Sequence, residues 1–268
     1  MITGFQFKDQ YTIEDLLQIM EILRSPGGCP WDAEQTHESI KKDLIEETYE
    51  VIEAINKKSS VMLQEELGDL LMQVVFHSRL SQEAGEFAFA EVCDGICKKL
   101  VERHPHVFGE VNVSDTDEVL SNWDAIKRNS KHHETTTQAI DSVPRELPAL
   151  MRSAKIQHKA AKAGFDWPDV SGAFDKIPEE LNELKEAVEK GDQAHIADEL
   201  GDLLFAVVNV SRFVKVDAEE ALTAATDKFR NRFAAVEALA IERGIDMKES
   251  SIEELDRLWD EVKRNSLA

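Results

Sequence analysis

Residues 179–204 read EELNELKEAVEKGDQAHIADELGDLL, and residues 46–71 read EETYEVIEAINKKSSVMLQEELGDLL. In the later stretch Glu180, Glu183, Glu199 and Asp202 stand symmetrically about Gly191, at eight and eleven residues on either side. Glu47, Glu50, Glu66 and Asp69 repeat the pattern, each displaced by 133 positions. Residues i and i+3 share one face of an α-helix, so each Glu-x-x-Glu and Glu-x-x-Asp presents two acids together. If Lys190-Gly191-Asp192 turns the chain between antiparallel helices, the two pairs face each other at one height. Each hairpin is then expected to hold four inward carboxylates, an arrangement that a bound cation makes tolerable.

The acids interrupt apolar sequence. Leu67, Leu70, Leu71, Val74 and Val75 surround Glu66 and Asp69, and Leu203, Leu204, Phe205, Val207 and Val208 follow Glu199 and Asp202. Carboxylates set in a core-forming helix are costly unless paired or metal-bound. A Glu-rich solvated surface is the plain alternative, and the duplicated mirror spacing argues against it. Oxygen-only ligands favour Mg²⁺ or Mn²⁺ over Zn²⁺. A di-iron site would use Glu-x-x-His pairs on two helices. Glu34-Gln-Thr-His37 has that form and Asp192-Gln-Ala-His195 nearly has it, but the two do not fall at equivalent repeat positions.

Helical periodicity runs through the whole chain and no strand pattern emerges, so the expected class is all-α, as tandem helical bundles. Helices are expected from Thr12, over 34–57 and 61–84, from Phe89 to the His104-Pro105 break, and over 117–131. In the second half they are expected over 149–163, 177–190, 194–214, 218–243 and 252–265. The stretch 132–148 (HHETTTQAIDSVPRELP) is polar with two prolines and reads as a linker between domains at 1–131 and 149–268. The motif WDxxKRNS at 123–130 recurs at 259–266, a further sign of duplication.

A chain of 268 residues with 42% hydrophobic and 31% charged residues can build two ordinary cores. Its net charge of −22, from 31 basic and 53 acidic side chains, repels polynucleotide backbones. A small phosphate ligand remains compatible where cations reverse the local sign. No apolar run is long enough to span a membrane. Met1 to Asp15 carries acids and lacks a basic, then apolar, leader, so no signal peptide is expected. Cys93 and Cys97 lie one turn apart on an apolar face and read as buried, reduced thiols, with Cys29 structural. These features place the protein in the cytoplasm.

Positive groups for a phosphate ligand recur at helical spacing: Lys228 with Arg232, Lys99 with Arg103, and a Trp one turn before a Lys at Trp259/Lys263 and Trp123/Lys127. Such a Trp covers a base, or packs at a domain edge beneath a snorkelling Lys.

Taken together, GCPWD at 28–32, QTHESI at 35–40, EETYE at 46–50, EELGDLL at 65–71, HPHVF at 104–108, EELNE at 179–183 and DELGDLLF at 198–205 resemble the MazG family of nucleoside triphosphate pyrophosphohydrolases. The resemblance covers nearly the whole chain as two tandem units. It implies Mg²⁺-dependent hydrolysis of NTPs or dNTPs to the monophosphate and pyrophosphate, and a homodimer. Carried over residue by residue, it implies metal ligation by Glu180, Glu183, Glu199 and Asp202, and by Glu47, Glu50, Glu66 and Asp69 in the first unit. It also implies nucleotide contacts by Lys176, Glu179, Lys228, Arg232, Trp259 and Lys263, with Glu180, Glu183, Lys228 and Arg232 in catalytic roles. His195 stands where a Lys near the phosphates is expected in similar proteins.

The halves differ. Lys176 precedes Glu180 by one turn, whereas the matching first-half residue is Asp43; Lys185 corresponds to Ile52. A triphosphate needs cations beside the metal ligands, so turnover is expected chiefly in the second half. The first half is left as a second active site, a nucleotide sensor or a dimerising copy. The competing class is a non-catalytic helical module that binds metal or nucleotide to control association.

Overall fold

The computed structural model describes residues 5–109 and 135–265, and between them 111, 113, 115, 116, 118, 119, 122, 123 and 126. Among the described residues the secondary structure is entirely helical. The helices are α1 (Ile13–Arg24), α2 (Pro30–Glu34), α3 (Lys41–Asn56), α4 (Ser60–Glu83), α5 (Phe89–Arg103), α6 (Pro105–Phe108), α7 (Thr136–Asp141), α8 (Ala149–Lys162), α9 (Val170–Lys190), α10 (Gln193–Phe213), α11 (Ala218–Glu242) and α12 (Ile252–Asn265). The chain divides into two compact units, 1–127 and 128–268. The helix expected over 117–131 falls largely outside the described residues. Helix α7 occupies 136–141 within the stretch expected to be a linker.

Local chemistry explains most helix ends. Asp15 Oδ2 accepts from the Thr12 backbone N–H at 2.9 Å and stops the first turn of α1 from fraying. Ser59 caps α4 through the N–H of Met62 at 3.3 Å, and Asp192 caps α10 through the N–H groups of Ala194 and His195.

Two expected starts are corrected. The second long helix begins at Lys41 rather than 34, because Thr36 and Ser39 exchange side-chain and backbone hydrogen bonds (2.9 and 3.2 Å) that hold 35–40 as a turn. Helix α9 begins at Val170 rather than 177, capped by Asp169 and continuing through Pro178. Gly172 permits this start: a Cβ there would lie 2.3 Å from the Trp167 ring, so only glycine lets that ring rest on the first turn of α9.

In the first unit α3 and α4 form an antiparallel hairpin, with α1 and α5 packed on α4. Met20, Ile40, Val75 and Phe76 make its buried core. In the second unit α9 and α10 form the matching hairpin, and α8 lies on α10, where Gln157 Nε2 donates to the Phe205 carbonyl at 2.8 Å. Helices α11 and α12 pack together around Val236, Ala240, Leu258 and Val262.

Both hairpins reverse through a left-handed residue. Gly191 (φ 72°) does so in the second unit and Lys58 (φ 53°) at the equivalent place in the first. A side chain at positive φ is strained by about 1–2 kcal/mol, so Lys58 shows that the turn geometry is imposed by hairpin packing.

Arginines pin the incoming loops to each hairpin. Arg24 holds the Glu83 carboxylate at 2.8 Å and donates to the carbonyls of Asp32 and Gln35, while Arg212 forks onto Asp166. The thiols of Cys93 and Cys97 are exposed, contrary to the buried placement expected for them: the two lie on a face of α5 that the first unit leaves uncovered. Among the described residues, no helix is long and apolar enough to cross a membrane.

Candidate metal and nucleotide site

The hairpin register decides the site. With Gly191 closing a tight turn, Glu180 on α9 comes level with Asp202 on α10, and Glu183 with Glu199. Carboxylate oxygens of Glu180, Glu199 and Asp202 lie within 4.8 Å of one another, as do those of Glu47, Glu66 and Asp69 in the first unit. The structure therefore gathers three of the four acids in each hairpin. Glu183 and Glu50 stand at the rim, close enough to act electrostatically on the rest.

Burial separates the members. Glu180 and Glu199 are each only 7% exposed, whereas Asp202 and Glu183 reach solvent. Glu199 Oε2 is buried with no hydrogen-bond partner. A buried carboxylate oxygen left in this way costs free energy unless something positive approaches it. Three converging carboxylates and an orphaned oxygen match the hard, oxygen-only donor set of Mg²⁺ or Mn²⁺. The residues present thus fit a divalent cation.

An ammonium and an imidazole border this cluster. Lys176 Nζ lies 2.6 Å from Glu180 Oε1 and 2.9 Å from Glu179, and His195 Nδ1 lies 3.4 Å from Glu199. The hydrogen bonds to Glu180 and then Glu179 hold the Lys176 ammonium well above its ordinary pKa, so it stays charged. At the rim the Glu183 carboxyl is pushed up by desolvation, then by the charges of Glu199 and Glu180. Glu47 is raised by desolvation, then by Asp69 and Glu50, and Glu66 by desolvation, then by Glu50 and Glu65. Asp43 and Met62 occupy the first-unit places of Lys176 and His195.

The remaining nucleotide candidates sit on the other helix pair. Lys228 and Arg232 are on α11, Trp259 and Lys263 on α12. The Arg232 guanidinium lies 6.0 Å over the Trp259 ring and Phe229 packs 5.3 Å from it, while Lys228 and Lys263 are exposed. Trp259 also borders the α11/α12 core, so its packing role is real. Arg103 over Trp123, at 5.1 Å, gives the first unit the same cation–π pair. Lys127 lies outside the described residues.

The Glu-x-x-His reading of 34–37 finds no helix to carry it. Glu34 ends α2, and the His37 ring stacks on His77 with Nδ1 atoms 2.7 Å apart and Ser81 Oγ 3.4 Å from Nε2. Nothing in the local sequence signals this pair, because its partners are 40 residues apart.

The MazG nucleotide pyrophosphohydrolase domain matches twice, at residues 35–108 and 172–236. The chain is 43% identical over 258 residues to the nucleoside triphosphate pyrophosphohydrolase of Escherichia coli (strain K12), covering 95% of this chain and 98% of that one. The chain belongs to the MazG family. It is also 46% identical over 250 residues to the nucleoside triphosphate pyrophosphohydrolase/pyrophosphatase MazG of Thermotoga maritima, covering 93% and 95% of the two chains. The uncharacterized protein YabN of Bacillus subtilis is 47% identical over 246 residues, which span 91% of this chain and 50% of YabN. As a MazG protein, the chain carries both acid clusters, Lys176, His195, Lys228 and Arg232 inside the matched segments. Trp259 and Lys263 lie beyond them.

Proposed function

We propose that this MazG protein hydrolyses nucleoside triphosphates to the monophosphate and pyrophosphate, chiefly at the second-unit hairpin. The observation that carries this reading is the contact of Lys176 and His195 with the same carboxylates that converge in the cluster. A triphosphate brings charge that those carboxylates alone repel. The Lys176 ammonium and the His195 imidazole beside the ligands make the second unit the better receiver, while the first offers Asp43 and Met62.

Glu180, Glu199 and Asp202 would hold Mg²⁺, or Mn²⁺, with Glu183 at the rim. When bound, the ion neutralises phosphate charge and lowers the pKa of a coordinated water. Glu183 suits the role of base: it is exposed, and desolvation together with Glu199 and Glu180 raises its proton affinity above that of an ordinary carboxylate. It takes a proton as the water oxygen bonds to phosphorus, and the α–β bridging oxygen leaves with the departing fragment. Lys176, Lys228, Arg232 and Lys263 supply positive charge to the phosphates, His195 a hydrogen-bonding imidazole, and Trp259 an aromatic face to the base.

A homodimer is part of the proposal. Leu181, Leu200, Leu204, Phe205 and Val207 on the acid hairpin are exposed, and Leu222, Phe229 and Phe233 line α11 similarly. Apolar surface on that scale marks an association face, and a second copy is its fitting cover. Divalent-ion dependence and reduced thiols suit the cytoplasm.

The test is product identity from ATP and dGTP. Pyrophosphate release that is lost in Glu183→Gln and Asp202→Asn, and largely kept in Glu50→Gln and Asp69→Asn, supports the assignment. Orthophosphate with a nucleoside diphosphate refutes cleavage at the α–β bond.

A further inference from the structure

The carboxylates of the second cluster are contested. The ammonium of Lys176 sits 2.6 Å from Glu180 Oε1, and His195 Nδ1 3.4 Å from Glu199 Oε1. A divalent ion that draws on these two oxygens competes with the ammonium paired to one and the imidazole beside the other. The other oxygen of Glu199, Oε2, is buried and unpartnered, so the cluster keeps an uncontested buried donor on a residue of the three-carboxylate group. In the first unit the competitors are replaced by Asp43, a further acid, and Met62, which is uncharged. The hairpins share their acids and their turn, and differ in what holds those acids.

We infer that Lys176, with His195, makes cation binding at the second cluster conditional on a polyphosphate. Phosphate oxygens offer both groups anionic partners, and a Lys has the reach and rotamer freedom to turn from Glu180 to a ligand beside it. Once they turn, Glu180 and Glu199 are released to the ion. Mg²⁺ favours such shared arrangements, since it keeps few protein ligands and completes its shell with phosphate and water. Lys176 then ties ion entry to substrate entry, and the bare ion does not occupy the catalytic hairpin. Because binding free energies are linked, the ion raises affinity for the polyphosphate by the same factor. The inference rests on the proposed function in taking Glu180, Glu199 and Asp202 as ligands.

The experiment measures Mn²⁺ binding, by the paramagnetic resonance signal of the free ion and by titration calorimetry. It uses the full chain carrying Asp69→Asn, so that the first cluster is silenced, with and without the non-hydrolysable α,β-methylene analogue of ATP. The analogue is expected to tighten Mn²⁺ binding by about tenfold or more, within the ordinary range for two-ligand coupling. Lys176→Gln is expected to bind Mn²⁺ alone more tightly than its parent and to lose most of that coupling. Lys176→Arg keeps the charge and should keep the dependence. Circular dichroism on each variant establishes that it is folded, and the Arg variant carries the test if the Gln variant is not. Tight Mn²⁺ binding without analogue that Lys176→Gln leaves unchanged overturns this inference while leaving the metal reading intact. No Mn²⁺ binding under either condition overturns both.

Discussion

Replacing Glu199 with Gln separates what the carboxylate does for function from what it does for stability. Glu199 is 7% exposed and shares a 4.8 Å cluster with Glu180 and Asp202. At that separation and an effective dielectric constant of about 20, each like-charged pair repels by about 3.5 kcal/mol. Asp202 is exposed, so its share is screened, and the Lys176 ammonium offsets part of the remainder. A net relief of about 1–2 kcal/mol is left for the neutral side chain. The Gln amide can also donate to the neighbouring carboxylates. Without ligands Glu199→Gln should therefore raise the Tm of the second unit by about 4–8 °C.

With excess Mg²⁺ and the α,β-methylene analogue the order reverses. The parent gains about 2.7 kcal/mol at ligand concentrations one hundred times Kd, and the variant loses most of that gain. Pyrophosphate release should fall about 100-fold or more. The assay is differential scanning calorimetry of both proteins, each with and without ligands and in a Glu66→Gln background that removes the first cluster. A variant that melts below its parent without ligands, yet still climbs with them, refutes the view that Glu199 is a destabilising residue retained to hold a cation.

Three further outcomes follow from particular residues. Lys58 is held at φ 53°, so Lys58→Gly should relieve about 1–2 kcal/mol of strain, offset by about 0.4–1 kcal/mol of unfolded-chain entropy. Denaturant melts should then show a first unit stabilised by about 0.5–1 kcal/mol, and a destabilised variant would show that the Lys side chain itself holds the turn. Gly201 lies within α10 with open space where a Cβ would stand, so Gly201→Ala should stabilise the isolated chain by about 1 kcal/mol. If a second copy or a nucleotide packs against that position, the same change weakens dimerisation or raises KM, read by ultracentrifugation and steady-state kinetics. Burial, and then the neighbouring His37, lower the pKa of His77. Unfolded His77 binds protons near pH 6.5 while the folded ring resists them, so stability falls as the pH drops below about 7 toward the folded value. His77→Val, the residue type at the equivalent Val210, should flatten that loss in melts between about pH 7 and pH 5.

How much was legible in advance differs from element to element. The α9/α10 hairpin was readable because its signals are local: Gly191 and Asp192 terminate and restart helices by backbone geometry and capping. The mirrored acids then follow from counting residues. The starts of α3 and α9 depart from the periodicity for an equally local reason. Side-chain hydrogen bonds between Thr36 and Ser39 outweigh helical periodicity, and Pro178 looks like a helix start although Asp169 caps the helix earlier.

Sequence alone determined the all-helical class, the internal duplication, the family, and the face of each helix that carries carboxylates, because 3.6-residue periodicity and turn chemistry act within a few residues. Tertiary structure decided which of those carboxylates are buried and which stay at the rim, that Glu180 converges with Glu199 and Asp202 from the facing helix, and that His37 meets His77. Those outcomes depend on how one helix lies against another and which rotamers the packing admits. No pattern confined to a single helix encodes them.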